Sequence, residues 1–164
     1  MDDYTREHES EAARLDRNWS ELLQELRVTQ TGVQILTGFL LAMPFQQRFS
    51  GLSRFGVGVY ISAVVLTLLS TCLLIAPVSM HRILFRQRRK ATLVDLGDHL
   101  AEGGLTVLGL AISAVATLIF TMVFSEGWGL LAGALTLVLY AAAWLVLPLT
   151  MRAVEESPRA QDPR

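Results

Sequence analysis

The stretch ELLQELRVTQTGVQILTGFLLAMPFQQRF, Glu21 to Phe49, begins as a charged helix and turns apolar, yet it carries Gln30 and Gln34 into its apolar part. Steps of three and four residues connect Arg27, Gln30, Gln34, Thr37 and Leu41. In a helix these form one face, polar at its start and apolar at its end. Hydrocarbon offers an amide no partner, and an unpaired amide there is costly. The face is therefore expected to turn away from lipid, towards another helix, a second copy of the chain, or water in a cavity. Bonding between helices is the commoner use of such amides; a polar vestibule open to the cytoplasm is the functional alternative.

The rest of the chain identifies the solvent. Of its 164 residues 52% are hydrophobic, and they fall in long blocks rather than amphipathic stripes, which points to a membrane. The net charge is −1, so no global basic field attracts nucleic acid. Cys72 is the single cysteine, which excludes an intrachain disulfide and a cysteine metal cage. The opening MDDYTREHESEAARLDRN has no apolar core of the kind a cleaved leader needs, and it is expected to stay in the cytoplasm.

A helical crossing needs about 20 mostly apolar residues. Four segments fit: Val28–Phe45, Val57–Ala76, Gly104–Phe124 and Gly129–Leu147, none with a charged side chain. The expected fold is an all-α membrane protein of two hairpins. Arginine and lysine set its direction, because cytoplasmic flanks retain positive charge. Arg6, Arg14, Arg17 and Arg27 precede the first span, Arg82, Arg86, Arg88, Arg89 and Lys90 follow the second, and Arg152, Arg159 and Arg164 follow the fourth. Only Arg48 and Arg54 lie on the other side, so both termini are expected in the cytoplasm of a multi-pass protein of the plasma membrane, the inner membrane of a cell that has two. Phe45, Phe49, Phe55, Tyr60 and Trp128 would mark the outer interface, with Trp19 and Trp144 near the inner one. The short link Ser125 to Trp128 makes spans three and four antiparallel neighbours.

Small residues recur on the later spans: Ala63, Thr67 and Thr71; Gly109, Ser113, Thr117 and Thr121; Gly129 and Gly133. Such stripes let helix backbones approach, and Gly109, Ser113, Thr117, Gly129 and Gly133 are expected to pack helices, within the chain or between copies. A shift of 71 positions lays Gly32, Gly38, Gly56 and Gly58 on Gly103, Gly109, Gly127 and Gly129, and PVSM (77–80) on PLTM (148–151). Chance in glycine-rich spans and an internal duplication both fit; a duplication predicts a pseudo-twofold bundle.

Outside the spans, Asn18 and Glu21 make an N-x-x-E capping pair, with Trp19, Leu22, Leu23 and Leu26 on one face behind it. This predicts an N-terminal amphipathic helix at the headgroups, leading into span one. The middle segment, Val78 to Gly103, has a basic first half and an acidic second half and is expected to hold a cytoplasmic helix. Its Arg82, Arg86, Arg89 and Lys90 would touch anionic lipid headgroups, with no need of nucleic acid. Residues 1–17 and 153–164 read as flexible tails flanking a membrane domain over 18–152.

Chemistry is harder to find. Cation or proton antiport calls for an ionisable group at depth, and every Asp and Glu lies outside the spans. Asp95, Asp98, His99 and Glu102 are the nearest thing to a metal cluster and read better as a solvated helix end. No H-E-x-x-H, G-x-S-x-G or phosphate-cradling glycine loop occurs, so neither an enzyme nor a cofactor is expected.

The quoted stretch, together with APVSMHRILFRQRRK and the later LPLTMR, resembles a family of small actinobacterial membrane proteins catalogued as a domain of unknown function. The likeness runs from about Asn18 to Arg152, and the first two runs are distinctive. Some members carry the label sodium:proton antiporter, which is what the resemblance implies about activity. Two functions remain. One is a non-enzymatic, self-associating structural, regulatory or accessory subunit, with a further membrane protein as a conceivable partner. The other is a small transporter or channel with a polar path lined by Gln30, Gln34 and Thr37.

Overall fold

The computed structural model describes residues 11–84 and 90–146, with side chains at 17, 20–79 and 96–144. The elements are α1 (Glu11–Ala42), two 3-10 turns (Met43–Phe45 and Gln47–Gly51), α2 (Arg54–Leu84), α3 (Lys90–Val123), α4 (Glu126–Ala141) and a π-helical turn (Ala142–Val146). Among the described residues there is no strand. Ser20–Phe45, Arg54–Ser79, Leu96–Val123 and Glu126–Trp144 are long and apolar enough to cross a membrane. Their outward surface is apolar as well, with Val28 73%, Phe39 71% and Leu139 69% exposed. Water rarely tolerates so much exposed aliphatic and aromatic surface on one small protein, whereas acyl chains cover it without penalty.

Three helices are longer than a bilayer needs. The 32 residues of α1, 31 of α2 and 34 of α3 correspond to about 46–51 Å, against roughly 30 Å of hydrocarbon. The surplus changes two expectations. The amphipathic segment is not a separate interfacial helix: α1 runs unbroken from Glu11, and Asn18 sits inside it rather than capping a start. Its apolar face is covered by protein, since Leu22 and Leu26 join Val33, Leu74, Ala101, Leu105 and Leu108 in one cluster. Nor is there an independent middle helix among the described residues. The two halves of that segment prolong α2 to Leu84 and begin α3 at Lys90, leaving 85–89 outside the described residues.

The centre of the molecule is α3, which packs against α2 and α4, while α1 rests on α2 and more lightly on α3. Along α2 the buried positions Ala63, Thr67, Ser70, Leu74 and Pro77 follow steps of four and three. They meet a line of small or aliphatic residues on α3, namely Ala101, Gly104, Ala111 and Leu118. Gly104 is required there, because a Cβ would lie 2.8 Å from the Leu74 side chain and 3.3 Å from Leu73 Cβ. The second glycine of AEGG therefore marks a close approach of α2 and α3.

No substantial packing joins α4 to α1. A twofold relation between the halves would demand it as the mate of the α2–α3 interface, so the pseudo-twofold bundle does not form. The aligned glycines differ too: Gly58 has open space where its counterpart Gly129 is wedged against α3, and Gly38 has open space where Gly109 faces Tyr140 and Trp144. The result is a three-helix cluster of α1, α2 and α3, with α4 strapped to the outside of α3.

The outer ends are tied by side chains. The Gly56 N–H donates to Ser53 Oγ (3.2 Å), which caps α2, and the same hydroxyl donates to Glu126 Oε1 (2.6 Å) in the first turn of α4. One serine thus links both hairpins and satisfies an orphan helix N–H. Tyr60 donates from its hydroxyl to the Leu40 carbonyl near the end of α1 (3.2 Å) and stacks edge-on with Phe49 at 5.0 Å.

Candidate functional site

The residues of Arg27, Gln30, Gln34 and Thr37 do not stay together. The inward line of α1 is Leu26, Val33 and Leu40, seven residues apart and each no more than 3% exposed. Gln30 and Thr37 flank that line and are half-buried, whereas Arg27, Gln34 and Leu41 are exposed. Five residues on one face cover an arc wider than the contact with α2, so the face splits along its length. Within one chain, only part of the face is covered by protein.

Gln30 reaches across to α2. Its Nε2 donates to the Leu74 carbonyl at 2.8 Å. Pro77 lies inside α2 and removes the N–H that the Leu73 carbonyl would accept. Gln30 bonds the next carbonyl, that of Leu74, whose own helical donor is the N–H of residue 78, so it adds a second donor beside the proline turn. Thr37 instead donates to the carbonyl of Val33 in its own helix (2.7 Å). Gln34 makes no hydrogen bond and projects outward.

The α3–α4 crossing gathers the small residues. Ser113 and Thr117 are buried, as are Gly109, Gly129 and Gly133. A Cβ on Gly129 would overlap the Thr121 hydroxyl and lie 2.6 Å from the Thr117 carbonyl. One on Gly133 would overlap the Thr117 hydroxyl and lie 3.1 Å from the Ser113 carbonyl. The glycine hydrogens that occupy those directions therefore point at threonine oxygens, twice, one helical turn apart. Thr117 Oγ1 donates to the Ser113 carbonyl (2.9 Å) and keeps a lone pair for Gly133, while Thr121 Oγ1 is buried without a hydrogen-bond partner among the described residues and faces Gly129. Such Cα–H···O contacts account for the repeated geometry. The G-x-x-x-G motif is occupied by the chain's own third span.

Two residues that sequence reasoning missed carry equal weight. Ser70 Oγ, fully buried, donates to the Gly104 carbonyl at 2.8 Å and stitches α2 to α3. Leu74, the acceptor for Gln30, was invisible because the group that matters is a backbone carbonyl; Pro77 inside a helical run was the available signal. Of the basic group, Arg82 lies in the last turn of α2 and Lys90 starts α3, without described side chains, and Arg86 and Arg89 lie outside the described residues.

Two apolar cavities lie among the described residues. One of about 220 Å³ between α3 and α4 is lined by Gly109, Leu137 and the edge-on pair Tyr140 and Trp144. A second of about 330 Å³ lies between α1 and α3, against Phe39, Leu40 and Val115. Neither contains Gln30, Gln34 or Thr37. Among the described residues no three His, Cys, Asp or Glu side chains come together as metal ligands.

No curated protein and no solved structure matches the chain. A family model does, over residues 8–148, and its description is a family of unknown function, DUF6328. That match takes in all four helices from before the start of α1 to the end of the π-helical turn, and on its extent the chain belongs to that family.

Proposed function

We propose that this protein is a non-enzymatic, multi-pass protein of the plasma membrane that works by association, as a structural, regulatory or accessory subunit built from copies of itself. The observation that carries the reading is the fate of the polar groups. Gln30 is spent on the Leu74 carbonyl, Thr37, Ser113 and Thr117 each on a carbonyl of their own helix, and Thr121 is buried against Gly129 in the α3–α4 crossing. What is left, Gln34, looks outward at bilayer depth. A transport path needs polar groups that converge on a cavity and stay exchangeable; here they diverge or are committed.

In this reading both termini face the cytoplasm, as the distribution of Arg and Lys requires, and Arg82, Arg86, Arg89 and Lys90 engage anionic headgroups where α2 gives way to α3. The contrasting reading, a small ion or solute transporter, is tested directly. Proteoliposomes containing the full chain are assayed for Na⁺, K⁺ and H⁺ flux beside the Gln30→Leu/Gln34→Leu variant. Flux no greater than in empty liposomes is expected; a flux that the double variant abolishes without loss of assembly would replace the association reading with transport.

A further inference from the structure

The outward face of α1 is unlike the lipid-facing surface of the other helices. Thr31, Gln34, Gly38 and Ala42, at steps of three and four, are all exposed. Thr31 satisfies itself by donating to the Arg27 carbonyl at 3.0 Å. Gly38 has nothing within 4 Å of its missing Cβ, so a flat strip runs from Gly38 to Ala42. Gln34 is the residue that does not fit a lipid contact. It lies six residues beyond Val28, the first residue of the apolar span, or about 9 Å along the helix axis. Its amide has two donors and one acceptor oxygen, none paired among the described residues.

We propose that this face is the contact between two copies of the chain, with the Gln34 amides bonded to each other across a twofold axis along the membrane normal. This rests on the self-association reading and adds the surface. The choice of a second copy follows from symmetry. All copies insert in the same direction, so two α1 helices meeting about such an axis run parallel and place each residue at the depth of its own counterpart. An amide is self-complementary, since its N–H can donate to the other copy's carbonyl oxygen while receiving the reciprocal bond. A different protein would have to supply a polar group at that depth by coincidence; the second chain does so necessarily. Gly38 and Ala42, one and two turns further out, let the backbones approach closely enough for the amides to reach. The other small-residue pair, Gly129 and Gly133, is buried within the chain and is not available for this contact.

The full chain, with one fluorophore at its amino terminus, is reconstituted into phosphatidylcholine and phosphatidylglycerol liposomes, and subunits are counted by photobleaching over a range of protein to lipid ratios. The wild type is expected to pass from one to two steps with density, and Gln34→Leu to need about tenfold more protein for the same dimer fraction. Leu139→Ala, on the outer side of α4, should leave the curve unchanged. In a Cys72→Ala background, Gln34→Cys should form a disulfide-linked dimer under mild oxidation, which tests proximity even if the leucine variant folds poorly. Dimerisation by Gln34→Leu equal to wild type, or failure of Gln34→Cys to cross-link while the wild type is dimeric, would overturn this interface and leave the association reading standing. A wild type that stays single at every density would overturn both.

Discussion

Replacing Gly129 by alanine isolates the contact that holds α4 to the rest of the molecule. The new methyl would overlap the Thr121 hydroxyl, which can rotate away, and would lie 2.6 Å from the Thr117 carbonyl, which cannot because it belongs to helix backbone. The hairpin must open. Overpacking of this kind costs about 1–3 kcal/mol, and the lost Cα–H···O contacts add about 0.5–1 kcal/mol. Alanine also gains up to about 1 kcal/mol of helix propensity over glycine. Gly58→Ala provides the matching control: it makes the same chemical change within a spanning helix, at a site with nothing within 4 Å. Subtracting the two removes the propensity term and leaves a difference of about 1.5–4 kcal/mol, with Gly129→Ala the less stable. Unfolding in mixed micelles of mild detergent and sodium dodecyl sulfate, followed by tryptophan fluorescence, reads it directly. Trp128 adjoins Gly129 and Trp144 packs near Gly109, so separation of α4 changes the signal. Equal midpoints for the two variants would refute the tight crossing and, with it, the claim that Gly58 and Gly129 play different parts.

Further outcomes follow from the polar links. Gln30→Leu removes the interhelical donor to the Leu74 carbonyl, which keeps its own helical partner, and should lower unfolding stability by about 1 kcal/mol in the same micelle titration, whereas Gln34→Leu should shift the monomer's midpoint by less than about 0.5 kcal/mol. Ser70→Ala removes the bond to the Gly104 carbonyl and should cost about 1 kcal/mol, with Ser62→Ala, whose exposed hydroxyl bonds its own helix, as the near-silent comparison. For topology, in a Cys72→Ala background, Ser50→Cys should react with an impermeant maleimide in intact cells and Glu102→Cys only after lysis; the reverse pattern would invert the assigned direction.

Much of the fold was legible because the bilayer imposes a one-dimensional rule. Backbone groups must be satisfied inside each segment, so length and hydropathy alone mark Val57–Ala76 and Gly104–Phe124 as helices. The boundaries were less so. Asn18 reads as a cap and the glycines at 103–104 as a break, yet both lie inside long helices. Leu22 and Leu26 find cover in one cluster with Ala101 and Leu105, and that burial outweighs local start and stop preferences. The polar face of α1 was legible as a face, but its split was not, since periodicity gives the direction of a residue without saying how wide the neighbour is.

The sequence by itself marked four segments long and apolar enough to cross a membrane, the antiparallel pairing of the last two, and the clustering of Arg and Lys beside particular segments, because each depends on composition along the chain. Tertiary structure alone decided that Gln30 reaches the Leu74 carbonyl while Gln34 is left over, that Gly129 is wedged where Gly58 is free, and that α4 hangs on α3 without closing a bundle. These are facts of distance between segments far apart in the chain, and equal residues acquire unequal roles only when a particular neighbour arrives beside them.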